Sequence, residues 1–229
     1  MKPARIEKSL RVIGGTHRGR KFTYLVDPRT RPMKDRTREA VFNILGDRVV
    51  GTHVLDLFAG TGAMAIEALS RGAATALASE RHAGTASLIA ENLRSLGLED
   101  RGLVRSVDAL RLGPRLLAEL STPRLVIICP PYALYDREPE GMATFLAELA
   151  EASPAGTVWI VETDRDLAPP EDDGPRRGVR RPGQGVPDET ASDPLRALFR
   201  DGPLSAAAGW AWRWRAYSPA VLGVGERLS

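Results

Sequence analysis

The sequence predicts a doubly wound α/β protein built on a mostly parallel sheet. Two observations carry that expectation. Between about residue 52 and residue 163, five strand-like apolar runs alternate with four helix-like segments, and such alternation implies parallel strands joined by helices on both faces. Runs such as "LVIIC" at 125–129 are continuously apolar, which suits strands covered on both sides.

The elements follow in order. "RVIGGTHRGRKFTYL" reads as short strands around Gly14-Gly15 and Gly19. "RPMKDRTREAVFNIL" reads as a helix from about Lys34, with Val41, Phe42, Ile44 and Leu45 on one side and Gly46 as its stop. The strand "HVLDLF" (53–58) leads to the helix "AMAIEALSRG" (63–72). "ATALASE" (74–80) leads to "AGTASLIAENLRSLG" (83–97). "GLVRSVDA" (102–109) leads to the short helix "GPRLLAEL" (113–120). "RLVIIC" (124–129) leads to "MATFLAELAEA" (142–152), and "TVWIVET" (157–163) closes the series. Residues 164–203 carry seven prolines and few apolar side chains, so a long flexible loop is expected there, with one helical turn near "DPLRALF". In the tail, two strands meet at Ser218-Pro219. Strict alternation puts Trp210, Trp212 and Trp214 on one face and Arg213 and Arg215 on the other. Packing of the tryptophans onto a helix is favoured over base stacking. The chain thus divides into a basic β/α extension (1–50), an α/β core (51–163), the Pro/Gly-rich loop (164–203) and strands that complete the sheet (204–229).

No apolar run reaches the length of a membrane span, and the N-terminus lacks the apolar centre of a signal peptide. A cytoplasmic, monomeric protein is expected. The single cysteine, Cys129, allows neither an internal disulfide nor a cysteine-based zinc cluster, and no metal is expected. The net charge of +3 conceals an asymmetry: residues 1–50 hold 13 Lys/Arg against 5 Asp/Glu. A basic block of this kind points either to a nucleic-acid surface or to a solvated N-terminus.

The strongest local signal is "VLDLFAGTGAMAIEAL", a strand that runs through Gly60-Thr61-Gly62 into a helix. The glycines permit a tight turn and a close ligand approach. The spacing alone also fits a dinucleotide site. Asp56 argues otherwise, since a carboxylate at that strand end repels a pyrophosphate but attracts an ammonium or sulfonium group. Glu80, at the end of the next strand, suits ribose hydroxyls, and Asp108, at the end of the third, suits an adenine amine. The fourth strand then runs into Cys129-Pro130-Pro131-Tyr132. Proline locks φ and removes a donor, so this corner fixes backbone carbonyls as acceptors, while Tyr132 offers a face to an unpaired base.

Over residues 10–163 the sequence resembles the bacterial 16S ribosomal RNA guanine-N2 methyltransferases of the RsmD type. The resemblance is carried by "RVIGGTHRGRKF", by "RPMKDRTREAVFNIL" with Arg31-Pro32 and Arg36-x-Arg38-Glu39, by "DLFAGTGAMAIEALSRGA" and by "PPY". It implies a Rossmann-like class I methyltransferase fold and S-adenosylmethionine as cofactor. It also implies ribosomal RNA, or a small-subunit assembly intermediate, as partner. By position, Asp56, Phe58, Gly60, Thr61, Gly62, Glu80, Arg81, Asp108 and Ala109 would hold the donor. Cys129, Pro130, Pro131 and Tyr132 would hold the guanine, and Arg18, Arg20, Lys34, Arg36 and Arg38 would contact RNA. Cys129 departs from the pattern, because the family has Asp there to accept from the target amine, and a thiol is a poor acceptor. Four readings of Cys129 follow: a working enzyme with a relaxed motif, a non-catalytic or attenuated RNA-binding paralogue, a methyltransferase for another nucleic-acid amine, or a cysteine nucleophile of the cytosine-C5 kind. The last conflicts with the order of residues, since here the cysteine precedes both prolines.

Overall fold

The computed structural model describes residues 6–26, 32–122, 124–164, 167, 193–217 and 220–228. Arg31, the Ser218-Pro219 junction and most of the 164–203 segment lie outside these residues.

The N-terminal block opens with an antiparallel pair, β1 (Glu7–Arg11) and β2 (Lys21–Leu25). Helix α1 (Asp35–Leu45) follows and buries Val41, Phe42 and Leu45. The core then alternates β3 (His53–Asp56), α2 (Ala63–Ser70), β4 (Thr75–Ser79), α3 (Ala83–Leu96), β5 (Gly102–Arg105), α4 (Ala109–Ala118), β6 (Arg124–Ile128), α5 (Tyr132–Arg137), α6 (Pro139–Glu151) and β7 (Val158–Thr163). Beyond it lie α7 (Pro194–Arg200), β8 (Trp210–Tyr217) and β9 (Ala220–Arg227).

Seven strands form one sheet in the order β5-β4-β3-β6-β7-β9-β8. All neighbours through β7 are parallel, and β9 runs antiparallel to both β7 and β8. The sheet therefore has the doubly wound, mostly parallel form, with an apolar core on each face. One core packs α1, α2 and α3 residues such as Phe42, Ile66 and Leu93 on the sheet. The other packs α4, α6 and α7 residues such as Leu117, Phe145 and Phe199. Strand order reverses at β3, which lies between β4 and β6, and a doubly wound sheet offers its ligand crevice at that point, beyond the strands' carboxyl ends.

The tryptophan stripe packs inward. Trp212 and Trp214 meet Phe199 of α7 edge-on at 5.0 and 5.2 Å, and Trp210 lies 4.7 Å from Trp159. Beneath them β9 carries Gly223 and Gly225, where an added Cβ would come within 2.5 and 2.6 Å of Trp214 and Trp212. The indoles lie flat across that strand because it has no side chains there.

The N-terminal block is bolted to the core through polar groups. Glu67 of α2 is buried and accepts from the amides of Ile13 and Gly14 at 2.9 and 2.7 Å. Ser70 accepts from the His17 amide and donates to the Gly14 carbonyl. Asn92 of α3 exchanges two hydrogen bonds with the backbone of Thr23 in β2, at 3.0 and 2.6 Å. Arg38 completes this set. Its side chain is 0% exposed, faces Glu67 at 3.9 Å, and donates to the carbonyls of Arg11 and Met33 and to Asp35. Arg38 was expected on an RNA surface; the structure corrects this, because a guanidinium enclosed by those acceptors presents nothing to a ligand.

Candidate active site

The strand ends gather most of the sequence-predicted residues on one rim. β3 ends at Asp56, and the chain passes through Gly60 (φ 52°) and Gly62 (φ 74°), both in the left-handed region, into α2. An added Cβ at Gly62 would also meet Ile89 at 2.7 Å, so glycine is required there for conformation and for space. Asp56 is 1% exposed, and its Oδ2 accepts from the Ala65 amide at 3.2 Å. Burial pushes its carboxyl up to about 7, against the pull of the Ala65 hydrogen bond and with a further push from Glu80.

Glu80 follows β4 directly. Its Oε2 accepts from the Gly60 amide at 3.1 Å and its Oε1 from the His82 amide at 2.8 Å. It is half-buried and bridges the glycine loop to the start of α3. Asp108 lies three residues past β5 rather than on it. It caps α4, accepting from the Leu110 amide at 3.0 Å, and this helix starts at Ala109, earlier than the expected Gly113. Phe58 is half-buried and meets Phe145 edge-on at 5.9 Å. Thr61 and Ala109 are buried, and Arg81 is exposed.

On the neighbouring strand, β6 ends at Ile128, and Cys129-Pro130-Pro131 leads into α5, a helix that the sequence pattern does not announce. Pro130 is buried, Pro131 exposed and Tyr132 half-buried. Beside them lies Glu162, near the end of β7 and one residue beyond the Ile128–Val161 pair. The Tyr132 hydroxyl donates to Glu162 Oε1 at 2.8 Å, and the Cys129 thiol lies beside the same carboxylate. Tyr135, fully buried, donates to the Glu162 carbonyl at 3.0 Å. Burial pushes the Glu162 carboxyl up, and the Tyr132 and Cys129 hydrogen bonds oppose that rise. Burial, then the Glu162 and Asp56 carboxylates, push the Cys129 thiol well above its ordinary value.

Sequence reasoning missed Glu162. The signal was present, since "TVWIVET" carries an acid one residue before its end, but its closeness to Cys129 is a cross-strand relation.

The basic residues do not form one patch. Arg20 is exposed but donates to the Leu96 and Ser95 carbonyls at the end of α3, at 3.1 and 2.9 Å. Arg18, Lys34 and Arg36 are not buried: Arg18 and Arg36 lie at the surface and Lys34 beside the start of α1. Arg36 lines a groove of 540 Å³ between α1 and β8, together with Asn43, Arg213, Arg215 and Tyr217. Among the described residues no helix is long and apolar enough to cross a membrane, and no group of His, Cys, Asp and Glu could hold a metal ion.

The glycine loop on β3 and the Pro-Pro corner on β6 thus stand on adjacent strands. The family model described as Conserved hypothetical protein 95 matches residues 10–181. The chain belongs to this family, the RsmD-type S-adenosylmethionine-dependent methyltransferases. The Bacillus subtilis protein YlbH, which carries a provisional rRNA methyltransferase name, is 30% identical over 177 residues, covering 77% of this chain and 95% of its own. Ribosomal RNA small subunit methyltransferase D of Escherichia coli K12 is 39% identical over 124 residues, 54% of this chain and 60% of that protein. The solved structure of Escherichia coli yhhF aligns with a TM-score of 0.65 at 24% identity, over 96% of this chain and 99% of that one. That likeness shows a shared fold.

Proposed function

We propose that this protein methylates the exocyclic N2 of a guanine in small-subunit ribosomal RNA. The observation that carries the reading is the adjacency just described: a glycine loop with strand-end carboxylates beside a Pro-Pro-Tyr corner, at the point where strand order reverses.

The residues present fit S-adenosylmethionine. Asp56 is a buried carboxyl with no cation beside it among the described residues, and a cationic ligand relieves the cost of ionising it. Glu80 and Asp108 would hold the ribose and adenine ends, and the glycine loop admits close backbone approach. When bound, the donor supplies an electrophilic methyl group. The chain's own contribution is placement. The Pro130 carbonyl accepts from the target amine, Tyr132 covers the base, and the two strand ends hold the reactants together, which supplies much of the rate.

The raised thiol of Cys129 disfavours covalent catalysis, because the nucleophile would be the thiolate. The test is a map of methylated guanines in ribosomal RNA with and without the gene, coupled to calorimetry of donor binding. Glu80→Ala should weaken the donor by roughly 1.5–3 kcal/mol, the scale of a charged hydrogen bond. Unchanged affinity in a folded variant removes Glu80 from the donor site. An unchanged guanine map removes the proposed substrate.

A further inference from the structure

We propose that Glu162 reads the target guanine, accepting from its N1–H and N2 amine where Cys129 cannot. The inference rests on the guanine reading above and supplies, beside the Pro130 carbonyl, the charged acceptor that Cys129 cannot be.

Position comes first. Glu162 stands one strand over from Cys129, and neighbouring strands lie about 4.8 Å apart. Its carboxylate takes a hydrogen bond from Tyr132, the last residue of the corner, at 2.8 Å and lies beside Cys129, the first. The Tyr135 hydroxyl holds its carbonyl. The carboxylate is therefore fixed inside the base-binding corner before any base arrives.

Chemistry comes next. The pairing edge of guanine presents two parallel donors, N1–H and one N2–H. A carboxylate has two oxygens and about four lone-pair sites. The Tyr132 phenol leaves acceptor capacity for both guanine donors. Adenine and cytosine offer a lone pair at the corresponding ring nitrogen, which repels a carboxylate, and uracil has no exocyclic amine. One side chain thus both orients the amine and selects the base. Electrostatics agree: among the described residues Glu162 has no ion-pair partner, and a half-buried carboxylate without a cation is costly unless it is well hydrogen-bonded.

The alternative is that Glu162 only positions Tyr132. Binding separates the two. The full chain, saturated with S-adenosylhomocysteine, is titrated with single-stranded RNA oligonucleotides carrying one guanine among uridines, or inosine at that position. Inosine keeps N1–H and lacks the N2 amine. Fluorescence anisotropy should show about a tenfold preference for guanine in the wild type. In Glu162→Gln the preference should fall below twofold, with S-adenosylhomocysteine affinity unchanged. Tyr132→Phe should bind both RNAs more weakly yet keep the preference. Cys129→Asp combined with Glu162→Gln should restore it, since the carboxylate has moved one strand across. Equal binding of the two RNAs by the wild type, or an undiminished preference in Glu162→Gln, overturns the proposal. So does a preference lost to the same extent in Tyr132→Phe. The functional reading fails separately, on the methylation map: no guanine methylated by the wild type removes the substrate. A guanine methylated equally by wild type and Glu162→Gln, with no loss of preference in the variant, removes Glu162 alone.

Discussion

The inner and outer faces of the basic N-terminal block use the same residue types for opposite ends. On the inner face, Arg38 is enclosed and faces Glu67, which also holds the turn at Ile13 and Gly14. On the outer face, Arg36, two residues earlier on the same helix, lines a groove with Arg213 and Arg215 of β8. A block of positive charge is therefore not one surface. Helix geometry turns residues two apart toward different sides, and the side chains met there decide whether a guanidinium becomes structure or a free cation.

The largest effect that would break this comparison is at Arg38. Replacing it by Ala leaves Glu67 only Arg71, at 2.8 Å, as a cation and strips the Arg11 and Met33 carbonyls of their donor. Because Arg71 still holds Glu67, the cost should lie at the lower end for a broken buried pair, about 3 kcal/mol, and thermal unfolding should shift down by roughly 10 °C. Arg38→Lys should fall between, since the charge stays and the fork reaching Arg11 and Asp35 is lost. A stability change below about 1 kcal/mol for Arg38→Ala would return Arg38 to the outer face.

Asp56 is the inner charge that lacks a cation, and pH tests it. Its folded carboxyl sits at about 7 against an ordinary value of 3.8. The folded state therefore holds a proton that the unfolded chain releases between those values. Stability should fall as pH rises from about 4 to about 7 and level off above that. The total loss is on the order of 4 kcal/mol, because holding one extra proton costs about 1.4 kcal/mol for each pH unit crossed. Urea unfolding across this range checks it, and Asp56→Asn should abolish most of the slope. An unchanged slope in the variant means that another group carries it.

On the outer face, replacing Arg36, Arg213 and Arg215 together by Ala should weaken RNA binding without touching the fold. Each lost phosphate contact removes about 0.7 from the log–log salt slope for a single strand, so the triple variant should lose up to about 2. Melting temperature should stay within about 2 °C. A full slope in the folded variant would mean that RNA avoids this groove.

The legibility of these features follows from their range. The alternating strands, the glycine loop and the tryptophan stripe are periodic or contiguous, and the sequence shows them directly. Asp56, Glu80 and Asp108 are visible as acids after successive strands, although Asp108 belongs to the start of α4 rather than to β5. Two relations are invisible. Arg38 is buried because Glu67, on another helix, also binds the Ile13–Gly14 turn. Glu162 reaches Cys129 because β6 and β7 pair in one register out of several possible, and a shift of one residue would turn it to the other face.

Arg20 gives the smallest effect and the sharpest boundary between the two faces. It is exposed, like the outer arginines, yet its guanidinium donates to the Ser95 and Leu96 carbonyls, the last of α3, just before Gly97 turns left-handed at φ 71°. Those carbonyls have no partners within the helix, and a cation there also meets the negative end of the helix dipole. The His17 ring lies 3.1 Å from the same Leu96 oxygen, so that oxygen keeps a neighbour when Arg20 is removed. Arg20→Ala should therefore cost about 0.3–1 kcal/mol, readable as a small shift in the urea midpoint at low salt that shrinks as salt rises. The RNA salt slope should not change, because a guanidinium committed to two carbonyls neutralises no phosphate and so displaces no counterion from RNA. If the slope instead drops by about 0.7 while the urea midpoint stays fixed, Arg20 lets go of α3 to meet phosphate. The division between structural and free cations would then lie at burial alone rather than at hydrogen bonding.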